Sequence, residues 1–144
     1  MKRAERNRRR GGFTLMEVLL VLMILVVLAS MAALAYGPVQ RKMKVDAAKG
    51  QIGLFEPALQ MYELAVGSLP TTSQGLEALR SAPGDMANSS KWDGPYLTKP
   101  IPADPWNNAY QYACPGTHNS EGCDIWSNGA DGISGTADDI GNWK

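Results

Sequence analysis

The spacing of hydrophobic positions changes twice along this chain. From Val18 to Gln40, 23 consecutive positions carry no charge, and most are Val, Leu, Ile, Met or Ala. Such a run predicts a helix spanning roughly 30 Å, the thickness of a bilayer's hydrocarbon. After Gly37-Pro38 the apolar residues thin to every third or fourth position: Val45, Ala48, Ile52, Phe55, Leu59, Tyr62 and Val66. That spacing puts them on one helical stripe, with Lys44, Asp46, Lys49, Glu56 and Glu63 on other faces, so the stripe is the expected core face of a soluble region. Gly37-Pro38 and the cluster Gly50, Gly53, Pro57 are expected kinks, because Pro removes a helix hydrogen bond.

Beyond Val66 the elements shorten. Val66-Gly67-Ser68-Leu69-Pro70 ends the long helix, and Thr71 to Leu79 reads as a short capped helix anchored by Leu76 and Leu79. Residues 81–95, rich in Pro, Gly, Asn, Ser and Asp, read as an irregular loop. Alternation in Ala109-Tyr110-Gln111-Tyr112 predicts a strand, and Asp124-Ile125-Trp126-Ser127 predicts another. A small antiparallel sheet laid on the helix is the simplest way to bury the aromatics of this half, which makes the expected fold class α+β. There is no internal repeat.

Charge sharpens this layout. The chain of 144 residues is formally neutral, but residues 1–12 hold Lys2, Arg3, Arg6, Arg8, Arg9 and Arg10 against Glu5 alone. The remainder carries eight basic and 13 acidic residues, a net charge of −5. A basic cluster beside an apolar helix, without interleaved aromatics, argues against nucleic acid as a partner. The positive-inside rule accounts for it: the basic end stays cytoplasmic, the helix meets membrane lipid, and the C-terminal region is exported. Reading the run as a cleaved secretory signal fits less well, since it exceeds a typical h-region and Ala29-Ser30-Met31 is a weak cleavage site. No enzymatic constellation stands out. His118 is the only histidine and sits in a Gly/Pro/Asn/Ser-rich stretch, so it reads as a solvated loop residue, and there is no phosphate-binding glycine loop or His-Glu-x-x-His.

One carboxylate, Glu17, lies just inside the apolar run. At that depth a charge costs about 3 kcal/mol on insertion scales, so it calls for a partner. A cut after Gly12 would place a new amine on Phe13 one helical turn before Glu17, able to neutralise the Glu17 of a neighbouring molecule. Gly12-Phe13-Thr14-Leu15-Met16-Glu17, followed by the apolar helix, resembles the N-terminal signal of type IV pilins and type II secretion pseudopilins. The resemblance implies that a prepilin peptidase cuts after Gly12, that the amine of Phe13 is methylated, and that Glu17 is the assembly carboxylate.

Later segments narrow the resemblance to the major pseudopilins of type II secretion. They are Thr72, Gln74, Gly75, Leu76, Ala78 and Leu79; Gly94-Pro95-Tyr96-Leu97; Ile101 to Asn107; Tyr110 and Tyr112; and the tail from Ser127 to Trp143. The resemblance implies a type IV pilin-like fold in four parts. These are a cleaved leader over 1–12, a transmembrane and assembly helix over 13–36, an amphipathic continuation over 37–66, and a periplasmic region over 67–144. It implies a homopolymer that works with minor pseudopilins and an inner-membrane assembly platform to drive folded proteins across the outer membrane. A type IV pilin for adhesion, motility or DNA uptake is the alternative, and a monomeric anchored binding domain is a second rival.

Two pieces of chemistry remain. Cys114 and Cys123 lie in the exported part. A disulfide is the expected state there and would add about 2–3 kcal/mol on the chain-entropy model. The competing readings are two free thiols or a metal pair with His118, which lacks a fourth ligand. In the tail, Asp131, Asp138 and Asp139 stand among Gly129, Gly132, Gly135, Ser134 and Thr136. Composition alone allows a calcium loop or a solvated acidic turn, and the stretch does not fit the EF-hand pattern. The resemblance implies one structural Ca²⁺, with side-chain oxygens from Asp131, Asp138 and Asp139 and carbonyls near Asn128, Ile133 and Thr136.

Overall fold

The computed structural model describes residues 12–86 and 89–143. The basic stretch over residues 1–11 lies outside them. Helix α1, Leu15–Val66, is 52 residues long. Thr14 caps its start: the Glu17 N–H donates to the Thr14 hydroxyl at 3.2 Å. Thr14 and Glu17 have the spacing of a capping box, and the carboxylate stands at the positive end of the helix dipole. At the other end Gly67 takes φ 93°, which favours glycine, and its N–H donates to the Glu63 carbonyl at 2.7 Å. The helix runs through Gly37-Pro38 and Pro57 without a break. The expected kinks therefore do not end the element, each Pro costing it only one internal hydrogen bond.

The chain divides into two compact units, one through Gln40 and one from Arg41 to Lys144. In the first, every large apolar side chain from Phe13 to Met31 is exposed. Among the described residues, α1 is the one helix long and apolar enough to cross a membrane.

In the second unit the predicted stripe is the buried one. Ala48, Ile52, Phe55, Leu59 and Tyr62 are buried, with Val45 and Val66 partly so at the two ends. Facing them are Leu76, Ala78, Leu79, Tyr110, Tyr112, Ile125 and Ile140. Phe55 meets Tyr110 edge to face at 5.5 Å between ring centroids, and Tyr62 meets Tyr96 likewise at 5.5 Å. Such contacts stabilise beyond the area they bury.

Three strands form the sheet: β1 Gln111–Ala113, β2 Asp124–Ser127 and β3 Ile140–Gly141, in the order β1-β2-β3 and antiparallel throughout. Tyr112 pairs with Ile125, and Ser127 with Ile140. The first strand starts two residues later than its alternation suggests. The third strand was not expected, because two residues beside an acidic glycine-rich run show no periodicity.

The short helix after Thr71 narrows to a 3-10 turn, Leu76–Leu79. Thr71 and Gln74 exchange the reciprocal bonds of a capping box, with Thr71 N–H to Gln74 Oε1 at 3.0 Å and Gln74 N–H to the Thr71 hydroxyl at 3.3 Å. Gly75, at φ 61°, then breaks the α path before it can propagate. The loop that follows contains a further 3-10 turn, Ser89–Lys91, and is tied back by the Trp92 indole N–H to the Ala78 carbonyl at 2.9 Å.

The two faces of α1 give a direct test. Phe55 is 1% exposed and Leu54 63%. Phe55→Ala should destabilise the full chain by about 3–5 kcal/mol, whereas Leu54→Ala should stay within about 0.5 kcal/mol, as read by denaturant unfolding in detergent.

Candidate functional site

The acidic tail is the connection between β2 and β3, so both of its ends are fixed by sheet pairing. Its base is held from a third direction. Asp104 is buried, accepts the Trp106 and Asn108 N–H groups at 3.0 and 2.7 Å through Oδ1, and takes the Ser127 hydroxyl on Oδ2. The Asp104-Pro105-Trp106-Asn107 turn is thus anchored to the residue that opens the tail.

Within the tail Gly129, Gly132 and Gly135 all have positive φ, 66°, 69° and 90°, and so let the chain curl at every third residue. At Gly129 an added Cβ would collide with the Asp138 carbonyl, so the two ends of the loop touch there. Asp138 closes the loop: Oδ2 accepts the N–H groups of Ala130 and Asp131 at 3.0 and 3.1 Å, and Oδ1 accepts the Thr136 hydroxyl at 2.7 Å. The Thr136 hydroxyl first, then the Asp131 N–H, hold the Asp138 carboxyl down at about 2, so it stays ionised. Asp131 Oδ1 accepts the Ile133 N–H at 2.9 Å, and Asp139, which is buried, accepts the Gly135 N–H at 2.7 Å. Asn128 Oδ1 takes the Trp126 indole N–H at 3.0 Å, and the Ile133 carbonyl takes the Thr136 hydroxyl at 3.2 Å.

All six residues read as cation ligands therefore lie in one loop. In this conformation the carboxylates of Asp131, Asp138 and Asp139 accept the loop's own N–H and O–H groups, and no cluster of three or more carboxylate, His or Cys side chains suited to a metal ion occurs among the described residues.

At the other end of the chain, Gly12 and Phe13 precede α1 in non-helical conformation and are exposed, Phe13 at 82%. Glu17 is exposed in the first turn.

A third constellation surrounds the expected disulfide, and only the disulfide itself was legible beforehand. Cys114 and Cys123 are joined by a disulfide across the β1–β2 connection. Next to it Asp124 is buried and accepts the N–H groups of Thr117, His118 and Asn119 at 2.7, 2.8 and 2.9 Å. Burial pushes its carboxyl up, but the N–H groups of His118 and Asn119, the His118 ring and the Thr117 N–H together hold it below the usual range. His118 is exposed in its loop, as its surroundings suggest, but it has partners. Its Nδ1 stands 3.2 Å from Asp124 Oδ2 and its ring stacks on Trp143 at 3.9 Å, 3° from parallel. The available signal was an Asp directly after a cysteine, following a turn-rich stretch that needs an acceptor for its N–H groups.

Comparison with known proteins decides between pilin and pseudopilin. Residues 36–143 match the family model for type II secretion system (T2SS) protein G. The chain belongs to the type II secretion protein G family. Residues 7–33 match the prokaryotic N-terminal methylation motif. Type II secretion system core protein G of Pseudomonas aeruginosa is 40% identical over 142 residues, covering 94% of this chain and 96% of that one. The same protein of Aeromonas hydrophila is 42% identical over 138 residues, covering 95% and 94%. The structure is similar to the major pseudopilin from the type 2 secretion system of enterohaemorrhagic Escherichia coli, with TM-score 0.68 and 35% identity over 75% of this chain and 89% of that one. A major pseudopilin is a structural subunit and not an enzyme. Membership also makes the apolar half of α1 a membrane-anchoring helix and implies assembly with other pseudopilins and with the secretion machinery.

The Asp124 geometry gives a pH prediction. A carboxyl held down in the folded state stabilises above its unfolded value of about 3.9, and that contribution is lost as pH falls through the lower folded value. Asp124→Asn should therefore cost about 1–3 kcal/mol at pH 7, with the gap to the parent closing below about pH 4 in unfolding titrations.

Proposed function

We propose that this pseudopilin is cut after Gly12, anchored in the inner membrane with residues 67–144 in the periplasm, and assembled there by stacking of its apolar helices. The observation that carries this is the exposure of every large apolar side chain from Phe13 to Met31, a surface that only lipid or other helices can cover. Glu17 would meet the methylated amine of Phe13 on a neighbouring copy, which removes the cost of an unpaired charge at that depth. Growth of the polymer moves folded proteins through the outer membrane, with minor pseudopilins and an inner-membrane platform as partners and the prepilin peptidase as the processing enzyme.

The same proposal includes one structural Ca²⁺ in the tail loop. The donor chemistry supports it: Asp131, Asp138 and Asp139 with carbonyls at Asn128, Ile133 and Thr136 form a set of hard oxygens, and Asp138 is held ionised. The ion would cross-link the two arms of the β2–β3 connection.

Each part has its own test. Glu17→Ala should leave membrane insertion intact and abolish filaments sheared from cells; a normal filament yield would refute the amine pairing. Asp131→Ala should lower thermal stability only with calcium present, by about 2.7 kcal/mol when calcium is at a hundredfold excess over its dissociation constant. Equal loss in the presence of a chelator would remove the ion from the proposal.

A further inference from the structure

On the proposed periplasmic flank of the membrane helix, where basic residues are ordinarily scarce, this chain places three within four positions. Arg41, Lys42 and Lys44 follow directly on the uncharged run that ends at Gln40. All three are exposed, and none is in an ion pair among the described residues. Residues 45–144 carry five basic and 12 acidic groups, a net charge of −7. The exported region is therefore basic where it joins the membrane run and acidic beyond.

Two of the three cations stand on one side of α1. Arg41 and Lys44 are one turn apart, and Arg41 lies one turn before Val45 in the row that leads on to Ala48 and Ile52. Val45 is half-buried and Ala48 and Ile52 are buried, while Arg41 is exposed, so the cover of the core stripe ends between Arg41 and Val45. Asp46, the carboxylate nearest in sequence, falls on the opposite side of the helix. Beside Lys44 lies the turn that Asp104 pins: the Lys44 ammonium is 5.8 Å from the centroid of the Trp106 ring, within cation–π reach. Trp106 is half-buried, and Pro102 and Ala103 before it are exposed. The indoles of Trp92 and Trp126 donate to protein oxygens, but the Trp106 indole N–H has no partner among the described residues.

We propose that Arg41, Lys44 and Trp106 form a docking site for anionic phospholipid headgroups, with Lys42 adding charge. The second unit begins at Arg41, the first residue after a membrane-length run, so its first turn emerges at headgroup depth. An unpaired guanidinium and ammonium suit phosphate oxygens. A Trp with an apolar body and a free N–H suits the boundary between acyl chain and headgroup. Charge sets the sign of the occupant: an anionic leaflet attracts the three cations and repels the remainder at −7, which turns the domain onto its basic edge. A soluble anion would use the cations but not the indole and its apolar turn.

The proposal rests on the reading that α1 anchors the chain with residues 67–144 beyond the bilayer, and its test keeps the two apart. The full chain, as Ala103→Cys, carries a fluorophore on that thiol, Cys114 and Cys123 being bonded to each other. It is reconstituted into phosphatidylcholine vesicles that contain a headgroup spin label, with and without about 30% phosphatidylglycerol. The site predicts stronger quenching in the anionic vesicles, lost at about 1 M salt, where charges are screened beyond about 3 Å. Arg41→Gln with Lys44→Gln should lower the ratio of docked to free domain about thirtyfold, at about fivefold for each basic residue. Both side chains are exposed, so the melting temperature should stay within about 2 °C of the parent. Equal quenching in the two kinds of vesicle, or quenching unchanged in the double variant, overturns the site. Flotation with the vesicles reports on anchoring by itself. A chain that floats without the anionic gain keeps the anchor and loses the headgroup site, and one that does not float loses both.

Discussion

The sheet of this protein cannot stand alone. Its three strands hold three, four and two residues, too few to bury a core or resist fraying by themselves. What makes them a domain is the stripe on α1, where Ile52, Phe55, Leu59 and Tyr62 lie against Tyr110, Tyr112, Ile125 and Ile140. One fully buried aliphatic or aromatic side chain contributes about 1.5–3 kcal/mol, so a handful of them outweighs what so small a ladder of hydrogen bonds can add. The buried apolar residues described C-terminal to Val66 form a cover for that stripe.

Covers made mostly of loop need acceptors, because loop N–H groups have no ladder to join. Three buried or loop-closing carboxylates supply them here. Asp104 fixes the turn that leads into β1 and reaches Ser127, Asp124 gathers three N–H groups beside the disulfide, and Asp138 gathers two more in the tail. The acidic excess of the C-terminal region is therefore partly structural, since these carboxylates do the work that regular pairing does elsewhere. A cation in the tail would join a loop whose backbone is already curled by three glycines of positive φ.

The same helix that organises the domain also carries apolar surface that the domain does not use. Its first half is apolar on every side and its second half has one face buried and another exposed. A subunit built this way separates folding from assembly: the core stripe decides whether the domain forms, while the remaining apolar surface is left for lipid or for other helices.

By itself, the sequence determined the features that depend on local order: the membrane-length run, the core-facing stripe from Val45 to Val66, the helix stop at Gly67, β2 at Asp124 to Ser127, and the N-terminal methylation motif that includes Gly12 and Glu17. Each is a matter of period or of a contiguous motif, which one strand of text carries in full. Tertiary structure decided the rest. The third strand exists only because Ile140 finds Ser127 across a twelve-residue connection, and helical continuity at Pro38 and Pro57 holds despite the bonds those prolines cannot make. His118 gained Asp124 and Trp143 as partners, and the carboxylates of the tail turned to their own backbone. Such contacts depend on how each loop curls back on itself, and no spacing within the sequence encodes which donor a carboxylate will meet.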